Sequence, residues 1–208
     1  MIDLPQALKR KPKYHKPESK RQKGTSIDER PVEVKDRMVF GHWEGDLVVG
    51  GNYQGAGALL TLVERMTRQL IAIPLKAKTA KQVYMAINKL ERYYGFNLFK
   101  NVFKTITFDN GSEFSRFNDL ETSIIKPKEK RTTIFFAHPY AAFERGSNEN
   151  CNRLIRVKIP KGKCILKLSK ENIAKVIAMI NNKRRKINNY QSSQLLFEIE
   201  IEKIKQNF

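Results

Sequence analysis

The sequence predicts an α/β fold in which helices cover both faces of a mixed five-stranded sheet. Three β-rich segments follow one another without a helix between them, which indicates a meander. Helical and β-rich segments then alternate, and the full order is β-β-β-α-β-α-β-α-α, without an internal repeat. This order is typical of a sheet with helices packed on both sides. At 208 residues the chain is long enough for one domain with a substantial core.

The strands are predicted from β-favouring residues bounded by turn residues. HWEGDLVVGG is the first strand and ends at Gly-Gly, and ALLTLVERMT and RQLIAIPLKA follow it. KTITF (104–108) is a short fourth strand, and RTTIFFAH (131–138) is the fifth. The charged segment 126–131 before the fifth strand is predicted to be an exposed loop.

The helices are predicted from apolar residues at helical spacing and from capping residues. The first helix has Thr79 as its N-cap and stops at Gly95. SEFSRFNDLETSI is a second predicted helix. A third covers GSNENCNRLIRVKIP and ends before Pro160, and the last begins at Ser169. Along the chain we expect a flexible basic arm or linker remnant at 1–24, a core at 25–198 and a C-terminal tail at 199–208.

Charge is the informative feature of the composition. Forty Lys and Arg residues against twenty-one Asp and Glu residues give a net charge of +19, which favours nucleic acid as the partner. The alternatives are a ribosomal-type structural protein and a membrane-surface binder, but no basic amphipathic helix favours the latter. No apolar run approaches the ~20 residues that span a bilayer, and the two cysteines form no zinc or disulfide pattern. We therefore expect a cytoplasmic, nucleoid-associated protein without membrane contact.

TFDNGSEF (107–114) places Asp109 directly after a β-favouring run and before Asn-Gly, which breaks strands. An aspartate here is also an ordinary turn residue, because its side chain hydrogen-bonds the local backbone. Glu113 is a candidate accessory ligand, although a glutamate in the first turn of a helix is ordinary. The motif alone leaves turn chemistry and catalysis as alternatives.

Two further carboxylates stand out by position. Asp46 lies inside the first predicted strand, where a buried aspartate is costly unless it is paired, hydrogen-bonded or bound to metal. Its alternative place is the solvated face of an edge strand. Glu149 begins the helix after the fifth strand, where it could simply complement the helix dipole. On that helix Glu149, Arg153 and Arg156 share one face, which is either an ion-paired surface or a metal ligand beside a phosphate-binding stripe.

In a chain this basic, three converging carboxylates predict bound divalent cations. Mg²⁺ prefers hard oxygen ligands and keeps several waters, so it suits a site shared with phosphate oxygens. Two Mg²⁺ ions about 3.5–4 Å apart, with Mn²⁺ as a substitute, serve both oxygens of an in-line phosphoryl transfer. Such a reaction needs no histidine, so His42 and His138 are assigned no role.

The chain carries several multi-residue motifs in a fixed order. ERPVEVKDRMVFGHWEGDLVVG, TFDNGSEF and FAHPYAAFERGSNENCNRLIRVKIPKG follow one another, and NNKRRKINNYQSSQLLF closes the series. With these motifs, residues 25–198 resemble bacterial insertion-sequence transposases that have an Asp-Asp-Glu catalytic triad. More narrowly, they resemble the thirtieth-numbered insertion-sequence family.

The resemblance implies a ribonuclease-H-like integrase catalytic core that cleaves DNA and transfers strands as a homo-oligomer on transposon ends and target duplex. It places the catalytic and metal-binding triad on Asp46, Asp109 and Glu149. Arg145, Asn148 and Asn150 match the family's signature around the glutamate. The residues predicted to contact DNA are Arg145, Asn148, Arg153, Arg156, Lys158, Lys161, Lys183, Arg184, Arg185 and Lys186.

The sequence also departs from the family's pattern. Thirty-nine residues separate Asp109 from Glu149, a few more than is usual, and the charged loop at 126–131 is expected to absorb them. His138 stands where an aspartate is usual. The family's N-terminal helix-turn-helix region has no counterpart, so we expect a truncated reading frame or a separately encoded catalytic half. Two other functions stay open: a nuclease that cuts without joining, and a DNA-binding remnant without activity of its own.

Overall fold

The computed structural model describes residues 24–51, 53, 55–139 and 141–207. The arm predicted for residues 1–24 lies, apart from Gly24, outside these described residues. The five strands are β1 (His42–Val49), β2 (Ala58–Glu64), β3 (Leu70–Leu75), β4 (Thr105–Phe108) and β5 (Thr133–Phe136). The described α-helices are α1 (Glu33–Asp36), α2 (Ala80–Tyr94), α3 (Phe96–Val102), α4 (Phe117–Glu121), α5 (Gly146–Lys158), α6 (Lys170–Asn181) and α7 (Ser193–Lys205).

The strands form one mixed sheet in the order β3-β2-β1-β4-β5. The first three strands pair antiparallel as a meander, whereas β1–β4 and β4–β5 pair parallel. A parallel pair requires a crossover connection, which α2 and α3 provide between β3 and β4. The predicted five-stranded mixed sheet is confirmed.

Helices cover both faces of the sheet, and each face has its own apolar core. On one face, Trp43 and Leu47 of β1 pack with residues of α2, α3 and α7. On the other, Val48 of β1 packs with Cys151 and Ile155 of α5 and with residues of α6. The alternation of β1 side chains between the two cores follows from the two-residue period of a strand.

Local capping accounts for several helix ends. The Thr79 side chain accepts a hydrogen bond from Gln82 N at the start of α2, and Gly95 follows its last turn with φ of 74°. Ser169 caps α6 in the same way through Asn172 N. These are the ends that the sequence predicted, because a cap depends on residues only a few positions away.

Four sequence-based expectations need correction. The segment SEFSRFNDLETSI is not one helix but a 3-10 turn, Ser112–Phe114, followed by α4. The helices α3 and α7 were not predicted. The boundary proposed between residues 198 and 199 falls inside α7, and Ile201 beyond it is part of the apolar core. The segment 126–131 is exposed only up to residue 130, because Arg131 is fully buried.

Arg131 is buried because it completes a polar cluster under the long loop after α4. Its Nη1 donates to Glu91 Oε2 at 2.6 Å, and neither side chain is exposed. Arg131 Nε also donates to the Leu120 carbonyl at 2.8 Å, and Ile124 N donates to Glu91 Oε2 at 3.0 Å. A buried charge is tolerated when it is paired and hydrogen-bonded, and this pair ties the loop to α2.

None of the helices in the described ranges has the length and apolar character that crossing a membrane requires.

Candidate active site

Strand register brings Asp46 and Asp109 together. In the parallel pairing of β1 with β4, Glu44 lies opposite Thr107. Two residues beyond this pair are Asp46, inside β1, and Asp109, which directly follows β4, so the two carboxylates lie level with each other and on the same face of the sheet. That face is the one covered by α5, whose residues contact Asp46 directly.

Gly45 leaves room for the Phe108 ring between β1 and β4, next to the two aspartates. A β-carbon at Gly45 would lie 2.1 Å from Phe108 Cε1, so the Phe108 ring occupies the space of a side chain there. The ring stacks in turn on Phe114, with 4.1 Å between centroids. The residues just before Asp46 and Asp109 thus pack together on the far face of the sheet and fix the carboxylates above them.

Arg145 bridges the two aspartates. Its Nη1 lies 3.7 Å from Asp46 Oδ2, and its Nη2 lies 3.4 Å from Asp109 Oδ2. Burial raises the pKa of Asp46, the Arg145 guanidinium opposes this rise, and the charges of Asp109 and Glu113 add to it. The guanidinium therefore supplies positive charge that two adjacent carboxylates require.

Helix α5 is anchored over the site by two asparagines one turn apart. Asn152 Nδ2 donates to Asp46 Oδ2 at 2.9 Å, and Leu47 N donates to Asp46 Oδ1 at 2.7 Å. Asn148 Nδ2 donates to the Glu44 carbonyl at 2.8 Å, and the Thr61 hydroxyl lies within hydrogen-bond distance of both asparagine side chains. The sequence did not single out Asn152, although its position four residues after Asn148 indicates the same helix face.

A buried ion pair holds the start of α5 against β1. Glu44 and Arg65 form a salt bridge in which the Glu44 side chain is fully buried and that of Arg65 almost so. Glu44 Oε2 also accepts a hydrogen bond from Asn148 N at 2.9 Å, and Arg65 Nε donates to the Val34 carbonyl. The first turn of α5 is therefore attached to β1 through a charge that has no access to solvent.

Glu149 lies in the first turn of α5, one residue beyond the buried Asn148, and it is exposed. Among the described residues, no hydrogen bond or ion pair involves its side chain. No three Asp, Glu, His or Cys side chains of the described part of the chain are close enough to hold a metal ion jointly. The structure thus brings Asp46 and Asp109 together, with Arg145 between them. Glu149 lies on the exposed side of α5 and, among the described residues, forms no hydrogen bond or ion pair with either aspartate.

Apart from Arg145, which contacts the two aspartates, the residues predicted to bind DNA fall into three groups. Arg153 and Lys158 of α5, Lys161 before α6, and the three residues Lys183, Arg184 and Lys186 between α6 and α7 are exposed. Arg156 and Arg185 are half-buried. Arg156 Nη2 donates to the Val49 carbonyl at 2.6 Å, and Arg185 Nε donates to Ser193 Oγ at 3.0 Å. Asn148 does not fit the prediction of a DNA contact, because its side chain is fully buried between α5 and β1.

Comparison with curated proteins shows similarity to transposases over most of the chain. A Streptococcus salivarius protein named "Probable transposase for insertion-like sequence element IS1161" is 38% identical over 200 residues, which is 96% of this chain and 54% of that protein. The transposase for IS4351 of Bacteroides fragilis is 36% identical over 77% of this chain and 45% of its own length. Transposase InsI for IS30A of Escherichia coli is 31% identical over 84% of this chain and 42% of its own length. The chain thus spans about half the length of the curated relatives it matches.

Solved structures show the same fold at lower identity. The catalytic core domain of BIV integrase matches with a TM-score of 0.57 and 19% identity, covering 81% of this chain and 99% of that domain. An intasome of simian T-cell lymphotropic virus, in complex with a PP2A regulatory subunit, matches with a TM-score of 0.58 and 14% identity, over 77% of this chain and 55% of the other. No protein-family model matches the chain. The chain is therefore similar over most of its length to insertion-sequence transposases, including those of IS30 elements, and has the ribonuclease-H-like fold of an integrase catalytic core.

Proposed function

We propose that this chain is the catalytic domain of a DNA transposase, which cleaves phosphodiester bonds and transfers strands during transposition of an insertion sequence. The observation that carries the proposal is the level placement of Asp46 in β1 and Asp109 directly after β4, bridged by Arg145. Two adjacent carboxylates placed in this way form an oxygen-rich site at a sheet face. The similarity to transposases and integrase cores supports the same activity.

The donor set fits a hard divalent cation. Asp46 and Asp109 present carboxylate oxygens that only a guanidinium neutralises within the described residues, and both side chains keep access to solvent, with exposures of 30% and 40%. These two residues would hold Mg²⁺, or Mn²⁺ in its place, and Glu149 would complete a second site from α5. When bound, the metal supplies activation of the attacking oxygen and stabilisation of the leaving oxygen.

The other residues of the site position DNA. The exposed Arg153 lies one turn after Glu149 on α5, and the net charge of +19 attracts the phosphate backbone. In the proposed reaction, water breaks a phosphodiester bond at the transposon end and leaves a 3′-hydroxyl. That hydroxyl then attacks a phosphodiester of the target duplex, so the new bond forms as the target bond breaks.

The proposed setting is a homo-oligomer on DNA in the bacterial cytoplasm. A transposition reaction joins two transposon ends to one target, so at least two catalytic sites have to meet on DNA. The similar viral chain belongs to an intasome, which supports this arrangement.

The experiment that tests the proposal compares Asp46→Asn and Asp109→Asn with wild type in Mg²⁺-dependent cleavage and in joining of pre-cut 3′ ends. Both variants should lose cleavage and joining, whereas Asp119→Asn, an exposed aspartate paired with Arg116, should keep both. Circular dichroism checks that the fold is retained. Full activity from either site variant would overturn the assignment, and cleavage by wild type without joining of pre-cut ends would indicate a nuclease instead.

A further inference from the structure

Glu113 is a buried carboxylate in the turn that follows Asp109, and one of its oxygens has no partner among the described residues. The residue is 5% exposed, and Glu113 Oε2 makes no hydrogen bond within the described structure. Its Oε1 lies 3.1 Å from Lys78 Nζ. A buried carboxylate oxygen without a hydrogen bond is energetically unfavourable, and a further cation near Glu113 would stabilise it.

The position of this carboxylate is tied to that of Asp109 through Gly111. The Gly111 N–H donates to Asp109 Oδ1 at 3.0 Å. A β-carbon on Gly111 would lie 2.6 Å from Glu113 Cδ, so the Glu113 carboxylate lies directly against this glycine. Both carboxylates therefore contact one residue of the turn, and a side chain at position 111 would have to displace the Glu113 carboxylate.

Helix-dipole stabilisation does not account for Glu113. The 3-10 turn Ser112–Phe114 is only three residues long, and its N-terminus has no side-chain cap. Glu113 accepts no hydrogen bond from a backbone N–H of that turn, since its single described partner is Lys78. The neighbouring Phe114 is fully buried against Phe108, which fixes the turn beneath the end of β4. The carboxylate is thus held in place by packing rather than by the turn's own hydrogen bonds.

We infer that Glu113 adds negative charge next to the proposed metal site of Asp46 and Asp109 and so favours a divalent cation there, without being one of the ion's direct ligands. Lys78 is its counter-ion. The Lys78 side chain is 49% exposed, so solvent can take up its ammonium group when another cation binds. The inference rests on the proposed function, because it assigns a further charged group to the same site.

Binding of Mn²⁺ to the full 208-residue chain, measured by calorimetry and by electron paramagnetic resonance, tests this inference without an activity assay. Glu113→Gln should weaken Mn²⁺ binding on the order of ten-fold or more, and Lys78→Gln should leave it equal or tighter. Glu121→Gln is the matched control, because Glu121 is also largely buried and lies 3.1 Å from the exposed Lys130. It should bind Mn²⁺ as wild type does. Glu113→Asp, which retracts the carboxylate by one methylene, provides a second variant if the glutamine variant does not fold.

Asp109→Asn, measured in parallel, separates this inference from the proposed function. Weak binding by both Asp109→Asn and Glu113→Gln supports both. Weak binding by Asp109→Asn with wild-type binding by Glu113→Gln and Glu113→Asp overturns only the role of Glu113. Wild-type binding by Asp109→Asn overturns the metal site itself. An equal loss in Lys78→Gln and Glu113→Gln would show that the ion pair only shapes the turn, and it would also overturn the role of Glu113.

Discussion

Replacing Arg145 by alanine should raise the affinity of the site for divalent cations. Arg145 lies within 3.7 Å of Asp46 and 3.4 Å of Asp109. Its guanidinium therefore occupies the space between the carboxylate oxygens in which a metal ion would bind. A cation that binds there has to displace the guanidinium. Without Arg145, that displacement no longer opposes binding, and the repulsion between two neighbouring carboxylates favours any cation that arrives.

The expected magnitude follows from the two contacts. At an effective dielectric constant near 20, unit charges at this separation attract by about 5 kcal/mol. The aspartate side chains are 30% and 40% exposed, so solvent screens most of this attraction, and about 0.5–1 kcal/mol per contact is realistic. Two such contacts oppose metal binding by about 1–2 kcal/mol, which corresponds to roughly ten-fold in affinity.

Calorimetric titration with Mn²⁺ measures this change directly. Arg145→Ala should bind Mn²⁺ about ten-fold more tightly than wild type. The Mn²⁺ affinity of Arg145→Lys should lie between those of Arg145→Ala and wild type, because lysine keeps the positive charge but has a single nitrogen in place of the two that contact the aspartates. Arg153→Ala is the matched control, since it removes one positive charge from the exposed side of the same helix. Unchanged or weaker binding by Arg145→Ala, or an equal gain in Arg153→Ala, would refute the bridging role.

Two further predictions concern stability. Glu91→Gln should lower the free energy of unfolding by about 3–5 kcal/mol, because it leaves Arg131 buried without a compensating charge. Urea denaturation measures this loss, and a loss below about 1 kcal/mol would contradict the structural role of the pair. Arg156→Ala should lower the free energy of unfolding by about 1–2 kcal/mol, since it removes a hydrogen bond to the Val49 carbonyl. Arg153→Ala should have almost no effect, and equal melting temperatures for the two arginine variants would show that the Arg156 contact contributes nothing.

The prediction for Arg156 departs from what the sequence suggested. Helical spacing placed Glu149, Arg153 and Arg156 on one face, which was predicted to be either an ion-paired surface or a metal ligand beside two phosphate-binding arginines. The structure separates them, because Arg156 reaches the end of β1 and is half-buried, whereas Arg153 remains exposed. Burial lowers the pKa of Arg156, as expected for a guanidinium that contacts a strand end rather than open solvent.

The sequence by itself determined the features that depend on neighbouring residues. The five strands and the principal helices follow from hydrophobic period and capping, so Thr79 and Ser169 could be identified as caps before any contact was known. The candidate aspartates could be identified for the same reason. Asp46 interrupts an apolar strand, and Asp109 follows one directly.

Composition misled where a residue's environment is set by distant parts of the chain. Arg131 belongs to a highly charged segment, yet it is fully buried because Glu91 lies forty positions earlier and provides its partner. Asn148 matched a motif associated with DNA contact, but α5 packs it against β1. Ile201 lay in an expected tail and is part of the core instead. In each case the partner is remote in sequence, so no local pattern could indicate it.

Only the tertiary structure decided which carboxylates share a site. The register of β1 against β4 sets Asp46 level with Asp109, and a shift of one residue would have turned one of them to the opposite face. The segment just before α5 places Arg145 between them, and the turn after β4 brings Glu113 against Gly111. These placements depend on strand pairing and packing between segments up to a hundred residues apart, which is the long-range information that local propensity does not contain.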